Sequence, residues 1–342
     1  MGGVGGSFGG RISGDFGEIL SGGLGGFWGG FGGILLTIDH LSMTGQLCTV
    51  LFVLALRGPL WLPALLYGLW LLADRDTPRR GGRPCAWVRA WPVWNHFRDY
   101  FPISLIRTVP LDPGRNYVFG FHPHGVLASG AFGNFCTEAT GFGRLFPGLR
   151  PRLLTLPCWF RLPLFRDYAM AGGLCPVSRR CLDAVLARRS QALLIVVGGA
   201  AEALEGTPGR HRVTLRQRRG FVRLALRHGA PLVPVYVFGE QDAFRAPALA
   251  EGSLLRRLQR GLKRILGFAP CIFWGRGGLP FLPFRVPLTV VVGTPLEVPR
   301  VPRPSPELVA HYHELYVQRL QELFERHKVA CGVPPETPLI IA

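Results

Sequence analysis

The sequence has few charged residues, and acidic residues are the scarcer kind. Only 18% of its 342 residues are charged, whereas soluble domains carry about 25%. Its 21 Asp and Glu stand against 39 Lys and Arg, which gives a formal net charge of +18. Because 48% of the residues are apolar, the composition indicates contact with a membrane and with an anionic surface or ligand. The length allows one large domain or two ordinary ones.

Several motifs that define other protein classes are also absent. There is no zinc-ligand spacing, basic zipper or aromatic ribonucleoprotein motif, so nucleic acid is the least favoured polyanionic partner. The eight cysteines include no Cys-x-x-Cys pair, which predicts reduced, buried thiols facing the cytosol. Neither Ser129 nor Cys136 lies in a nucleophile signature, which argues against catalysis through a covalent intermediate on either side chain. The N-terminus lacks a basic region followed by an apolar stretch, so no cleavable signal peptide is predicted.

The first part of the chain is dominated by glycine and then by apolar residues. We expect residues 1–33 to be disordered, because glycine loses the most backbone entropy when it is fixed. Leu47 to Ala73 is apolar but is interrupted by Arg57, Gly58 and Pro59, and each half is shorter than the about 20 residues that span a bilayer. Two interpretations remain: a helical hairpin that dips into the membrane, or one long kinked spanning helix.

Arginines and aromatic residues follow the apolar segment. The stretch from Asp74 to Pro84 reads DRDTPRRGGRP, and by the positive-inside rule this end faces the cytosol. Trp87 to Pro102 mixes Trp, Phe and Tyr with charges, a composition typical of the lipid headgroup layer. We therefore assign residues 34–102 to a membrane hairpin with an interfacial segment, and residues 103–342 to an α/β domain.

From Asn116 onward, short apolar runs alternate with helical patterns. Runs rich in β-branched and aromatic residues predict buried strands at Tyr117–Phe121, Ala192–Val197, Leu232–Phe238, Pro270–Trp274 and Leu288–Gly293. Helices are predicted over Ser178–Arg189, Leu215–His228, Leu254–Leu266 and Ser305–Lys328, the last with Ser305 as its N-cap. Strands that alternate with helices predict a layered α/β domain.

Two histidines follow the first predicted strand, in the segment His122-Pro123-His124-Gly125. Strand ends are favoured places for ligand sites in α/β folds. If the strand direction persists, both imidazoles point to one face, and Gly125 lets the backbone turn or approach a ligand closely. One histidine can act as the base that deprotonates a hydroxyl, while the other orients it or assists the oxyanion. Hydrogen-bonded core histidines are an equally good interpretation, and metal ligands are a weaker one because no third ligand lies nearby.

An acidic residue and a basic helix are the remaining candidates. Glu202 follows the strand predicted to end at Val197, where it can orient a histidine, hold a cation, or simply be a solvated carboxylate in a turn. Arg218, Arg219 and Arg223 lie in the basic stretch RHRVTLRQRRGFVRLALRHG. Their planar guanidinium groups suit the phosphates of coenzyme A, but a solvated or membrane-facing basic helix fits as well.

Ordered blocks of sequence carry a family resemblance. They read RDYFP, NYVFGFHPHG, LFPGLRP, GLCPVSR, VGGAAEAL, RGFVRLALRHGAPLVPVYVFGE and APCIFWGRG, and they extend from about Leu47 to the C-terminus. Together they resemble the type 2 diacylglycerol acyltransferase family, which includes monoacylglycerol and wax-alcohol acyltransferases. The chain departs from the family in its N-terminal glycine tract, in Ala203 where the family usually has Ser, and in a short segment after Gly277.

The resemblance implies a fold, a reaction and a location. The fold is a layered sheet with flanking helices, like that of glycerolipid acyltransferases, behind a membrane hairpin in the endoplasmic reticulum, with the catalytic part in the cytosol. The donor is acyl-CoA as co-substrate, with no further cofactor or metal, and the acceptor is a mono- or diacylglycerol. The alternatives are a fatty-alcohol acceptor and a catalytically silent lipid-binding protein. His122, His124 and Glu202 are the implied site residues, with His124 favoured as the base; the oligomeric state is left open.

Overall fold

The computed structural model describes residues 38–199, 202, 209–245, 273–278 and 282–342. The glycine-rich segment 1–33, the predicted helix Leu254–Leu266 and most of the predicted strand Pro270–Trp274 lie outside these residues.

A seven-stranded sheet forms the centre of the described structure, with the strand order β1-β8-β7-β2-β5-β3-β4. Every neighbouring pair is parallel except β7 and β8, and β6 pairs with β9 in a small parallel sheet. The strands are β1 Ile103–Arg107, β2 Tyr117–His122, β3 Arg150–Thr155, β4 Leu174–Pro176, β5 Gln191–Val196, β6 Arg212–Val213, β7 Leu232–Phe238, β8 Leu288–Val292 and β9 Ile340–Ile341. The predicted α/β class is therefore confirmed.

The strands that the sequence predicted are the central ones. β2, β5, β7 and β8 match their predicted ranges to within one residue at each end. Sequence reasoning missed β1, β3 and β4, which are respectively half-exposed, rich in Pro and Arg, and three residues long. Continuous apolar runs reveal strands that are buried on both faces, and these three strands lack such runs.

Helices cover both faces of the sheet. Within the described residues, the α-helices are α1 Ile38–Arg57, α2 Trp61–Ala73, α3 Ala86–Arg89, α4 Val93–Tyr100, α5 Ser129–Phe135, α6 Phe142–Leu145, α7 Phe165–Ala171, α8 Arg179–Leu186, α9 Gly220–His228 and α10 Pro306–His327. Short 3₁₀ helices occupy Pro78–Arg80, Pro157–Arg161, Glu240–Asp242, Arg276–Gly278 and Val329–Cys331.

Helix ends follow the capping residues where the sequence provides them. The Ser178 side chain accepts a hydrogen bond from the backbone of Cys181 at the start of α8, and Ser305 accepts one from Leu308 at the start of α10, as such caps do. Helix α9 begins at Gly220, five residues later than predicted, because the backbone N–H of Leu215 instead donates to Ala342 beside β6 and β9.

The two faces of the sheet have separate apolar cores. Side chains of β2 alternate between them: Phe119 and Phe121 pack toward α4 and α5, whereas Val118 packs toward α8, α9 and α10. This alternation is the period of an extended strand. Because β2 contributes to both cores, residues at its end lie between the two layers of helices.

The aromatic segment before β1 differs from its prediction. Trp94, Phe97 and Phe101 are buried in the core that contains Phe132, rather than exposed at a headgroup layer. The Trp94 and Phe132 ring centroids lie 5.4 Å apart. The amphipathic helix α4 turns these rings inward, because the sheet face beside it is apolar. Trp87 alone remains largely exposed, at 71%.

The cysteines are also less uniformly buried than predicted. Cys136, Cys175 and Cys181 are buried, but Cys158 is exposed and the other described cysteines are half-buried. Cys158 lies on a single turn of 3₁₀ helix, one side of which faces outward.

The N-terminal helix pair, α1 and α2, is separated by the predicted interruption around Gly58. The two helices fold against each other, and the ring centroids of Phe52 and Tyr67 lie 5.7 Å apart. Many of their leucines and valines are exposed. None of the helices in the described ranges combines the length and the apolar character needed to cross a bilayer.

Candidate active site

Three strand ends meet at one edge of the sheet. β2 lies between β5 and β7 and is parallel to both, with Phe121 paired to Val196 and His122 paired to Tyr236. The carboxyl ends of parallel strands lie on the same side of a sheet, where α/β proteins commonly bind ligands. The segments that follow these strands carry His124, Glu202 and Glu240. The fold therefore brings together chemical groups that are far apart in the sequence.

His124 has one ring nitrogen engaged and one available. Its Nδ1 lies 3.0 Å from the carbonyl oxygen of Gly125. A carbonyl oxygen only accepts, so Nδ1 carries the hydrogen of the neutral ring and Nε2 keeps a lone pair. Burial lowers the pKa of His124, and the hydrogen bond with Gly125 opposes that shift. The half-buried ring is therefore neutral near pH 7 and able to accept a proton through Nε2.

His122 is in a different state. It is fully buried, and burial, followed by the nearby His313, lowers its pKa to about 3. Its Nε2 lies 3.1 Å from the hydroxyl oxygen of Tyr316, whose hydroxyl group donates to the carbonyl of Gly120 at 3.0 Å. His122 is thus a neutral group that donates through Nε2, a state better suited to a supporting partner than to a base.

The two histidines do not both lie on the strand. β2 ends at His122, and the His122–Pro123 peptide bond is cis. His122 is fully buried, whereas His124 is only partly buried and lies beyond the strand. The shared strand face expected from alternation therefore does not extend to His124, because the strand ends two residues before it.

Glu202 binds the backbone at His124 rather than its ring. One carboxylate oxygen accepts a hydrogen bond from the His124 N–H at 2.6 Å, and the other accepts one from the Thr214 N–H at 2.5 Å. The side chain is 3% exposed, so the interpretation as a solvated carboxylate is wrong. Glu202 thus connects the histidine segment to Thr214, which directly follows β6.

Glu240 is a second carboxyl group in the site, which sequence reasoning missed. It is buried and accepts hydrogen bonds from the backbone N–H groups of Ser129 at 2.6 Å and Gly130 at 2.8 Å. Burial raises its pKa to about 7. Gly125 has a φ of +59°, and a Cβ atom there would lie 2.5 Å from Cγ of Glu240. A usable signal existed, because Glu240 follows strand β7 as Glu202 follows strand β5.

Of the predicted phosphate-binding arginines, Arg223 lies on the outer side of α9, and Arg218 and Arg219 lie immediately before its first residue. Arg218, Arg219 and Arg223 are exposed, and within the part of the chain that the structure describes none of them pairs with a carboxylate. On the inner side of the same helix, the Phe221 ring packs against Tyr316 with centroids 4.8 Å apart. One helix thus presents free cations outward and contacts the histidine site inward.

The arrangement at these strand ends suits proton transfer. Among the described residues, no three His, Cys, Asp or Glu side chains converge as metal ligands would. A neutral imidazole with a free Nε2, whose own backbone N–H donates to the buried carboxylate of Glu202, can deprotonate a hydroxyl group.

Proteins of related sequence cover this whole site. The family model described as diacylglycerol acyltransferase matches residues 52–342. Over 302 residues the chain is 51% identical to 2-acylglycerol O-acyltransferase 3 of Homo sapiens, covering 86% of this chain and 89% of that protein. It is 49% identical over 310 residues to diacylglycerol O-acyltransferase 2 of Bos taurus, covering 88% and 85%. The solved 1-acyl-sn-glycerophosphate acyltransferase of Thermotoga maritima overlaps 83% of this chain and 97% of its own, with 11% identity and a TM-score of 0.36.

Proposed function

The chain belongs to the diacylglycerol acyltransferase family, and from that membership we propose that it is an acyl-CoA-dependent O-acyltransferase that esterifies a mono- or diacylglycerol. The observation that carries the proposal is the family match over residues 52–342, which contains His124 with its free Nε2. The two relatives act on acceptors of both kinds by name, so the acceptor is proposed as a class.

The proposed reaction needs one base and no covalent enzyme intermediate. Nε2 of His124 takes the proton from the acceptor hydroxyl as its oxygen attacks the thioester carbonyl carbon. Collapse of the tetrahedral intermediate breaks the carbon–sulfur bond, and the imidazolium returns its proton to the departing thiolate of coenzyme A. Glu202 holds the His124 backbone during both steps, and its negative charge stabilises the transient imidazolium.

The donor would bind along α9. Coenzyme A carries several phosphates, and Arg218, Arg219 and Arg223 are exposed there without carboxylate partners among the described residues. Arginine binds phosphate through paired N–H donors. Phe221 of this helix packs against Tyr316, which contacts His122. An acyl-CoA bound by the arginines would therefore lie on the same face of the sheet as Tyr316.

The acceptor would arrive from the membrane. Exposed leucines cover α2, including Leu62, Leu66 and Leu69 at 50%, 59% and 55%. A helix of this length extends about 20 Å, enough to enter one side of a bilayer. We infer that the N-terminal helix pair inserts as a hairpin into the endoplasmic reticulum membrane and that the α/β domain faces the cytosol, where acyl-CoA is dissolved.

An acceptor panel tests the proposal. Purified full-length protein in lipid nanodiscs is given radiolabelled acyl-CoA with a monoacylglycerol, a diacylglycerol or a fatty alcohol. We expect ester from at least one acylglycerol, and its loss in His124→Ala. His96→Ala is the matched control, because His96 is an exposed histidine on α4. A folded wild-type chain that forms no ester would favour the lipid-binding alternative, and ester from fatty alcohol alone would favour the wax-alcohol alternative.

A further inference from the structure

Tyr316 reaches His122 across strand β2 at a position where the strand has no side chain. Tyr316 lies on α10, 194 residues from His122 in the sequence, and is fully buried. Its hydroxyl group passes over Gly120, where a Cβ atom would lie 2.0 Å from the hydroxyl oxygen. Any other residue at position 120 would therefore displace Tyr316. Here the glycine is required by close approach, since Gly120 lies in regular strand paired on both sides.

The hydrogen bonds of this hydroxyl define the state of His122. The hydroxyl group donates to the Gly120 carbonyl at 3.0 Å, so its oxygen is left to accept. The imidazole must then donate its Nε2–H across the 3.1 Å separation. This arrangement selects one neutral tautomer of His122. Nδ1 is left as a buried acceptor without a partner among the described residues, so a second donor does not compete for the ring.

Other side chains fix Tyr316 itself. The Phe221 ring meets it edge to face at 4.8 Å. One turn earlier on α10, buried His313 has its Nε2 3.0 Å from the carbonyl oxygen of Leu215 and donates to it. α10 is thus attached, at Tyr316 and one turn before it, to Phe221 of α9 and to Leu215 ahead of that helix, so the hydroxyl group has little freedom to move.

We propose that Tyr316 is a positioning residue for the acyl transfer, which acts by holding neutral His122 through its Nε2–H and thereby holding the His122-Pro123-His124 segment in place. The inference rests on the proposed function. Tyr316 does not touch substrate; it acts on His124 through the two residues that precede it. A general base contributes only when its nitrogen is correctly placed against the hydroxyl group, so small displacements are costly in rate.

The first test is Tyr316→Phe, which keeps the ring and removes only the hydroxyl group. We expect kcat to fall about tenfold, roughly the effect of losing one neutral hydrogen bond in the transition state. The KM values for acyl-CoA and for the acceptor should stay within about twofold, because neither substrate is bound by Tyr316. Tyr312→Phe is the matched control, since Tyr312 is a half-buried tyrosine of the same helix, and it should retain wild-type kcat.

The second test asks whether the hydrogen bond from Nε2–H of His122 matters or only the packing of its side chain. Glutamine at position 122 can place an amide N–H near the position of Nε2, whereas asparagine is one bond shorter and places it near Nδ1. We expect His122→Gln to keep about tenfold more activity than His122→Asn. Adding Tyr316→Phe to His122→Gln should lower kcat again, because the replaced donor loses its acceptor.

Three outcomes overturn the inference, the first two of which are direct. One is wild-type kcat in Tyr316→Phe, and the other is equal activity of His122→Gln and His122→Asn. A fall in kcat that Tyr312→Phe reproduces would also contradict it, because the effect would then be general packing of α10. These results are separate from failure of the proposed function, in which the wild-type chain itself makes no ester.

Discussion

The end of strand β2 and the N-terminal helix pair are both rich in apolar residues but differ in how far those residues are buried. At the strand end, Phe119 and Phe121 are fully buried, and so are the polar side chains of His122 and Glu240. In α2, Leu72 is 68% exposed although it lies in one of the most apolar stretches of the chain. The domain thus covers these side chains with its own residues, whereas the outer surface of the helix pair leaves apolar side chains exposed.

The two regions also differ in their polar contacts, which are numerous at the candidate active site and few in the helix pair. Each buried carboxyl group of the site has backbone donors from elsewhere in the domain: His124 and Thr214 for Glu202, and Ser129 and Gly130 for Glu240. The helix pair offers few such polar contacts beyond Tyr67, whose hydroxyl group donates to Asp167. Substitutions at the strand-end site should therefore change activity without changing membrane association. Substitutions on the outer surface of the helix pair should change membrane association without unfolding the α/β domain.

The largest expected effect is at Glu202. Glu202→Ala leaves the N–H groups of His124 and Thr214 without this acceptor, and each buried unsatisfied group costs about 1–3 kcal/mol. We expect ester formation to fall by about a hundredfold or more and Tm to drop, with unchanged membrane association by flotation. Glu322→Ala, at an exposed carboxylate, is the control. Activity above a tenth of wild type would show that His124 needs no support from Glu202.

The converse change is in the helix pair. Replacing Leu62, Leu66 and Leu69 together by Ser removes apolar surface worth about 1.5–3 kcal/mol for each fully buried leucine. We expect the membrane-bound fraction to fall at least tenfold in flotation, while Tm of the α/β domain stays within a few degrees. Val329→Ser, at another exposed apolar residue, should float like wild type. If the triple variant floated fully, the helix pair would not be the part of the chain that binds the membrane.

The next effect concerns pH and the buried carboxyl group of Glu240. Its pKa is raised from 4.5 to about 7 by burial, so the folded state favours the protonated form. Stability from this group is complete below pH 4.5 and is lost as pH rises through 7, because the unfolded chain ionises first. The full change is on the order of 3 kcal/mol. Tm of wild type should fall more steeply from pH 5 to 8 than Tm of Glu240→Gln.

Parallel Tm curves for wild type and Glu240→Gln would contradict the buried protonated carboxyl. Glu314→Gln, at an exposed position of α10, is the matched control and should follow the wild-type curve at every pH.

The smallest expected effect is at Arg219, at the start of α9, and it tests whether this arginine binds acyl-CoA or contacts the membrane. Arg219→Gln should raise KM for acyl-CoA about threefold to tenfold, since a charge-assisted hydrogen bond contributes about 1 kcal/mol when exposed. The value of kcat should not change. Arg319→Gln, at an exposed arginine of α10, should leave KM unaltered. Reduced flotation with an unchanged KM would instead place Arg219 with the membrane-facing surface.

Much of the domain was predictable because its central strands are buried on both faces. Continuous apolar runs revealed β2, β5 and β7, and a serine N-cap marked the start of α10. The edge strand β1 was not predictable in this way, because its exposed positions break the apolar run. The same ambiguity misplaced Trp94, since an aromatic and charged segment suits either a headgroup layer or an amphipathic helix on a core.

The fold class, the family, and the positions of His122, His124 and Glu202 at or just beyond strand ends could be read from the sequence alone, because they depend on local order along the chain. The contacts of Glu202 with a backbone N–H, of Glu240 with Gly125, and of Tyr316 with Gly120 and His122 could be read from the tertiary structure alone. Those contacts join segments separated by many residues, and strand order and helix packing, rather than sequence spacing, bring them within hydrogen-bonding distance.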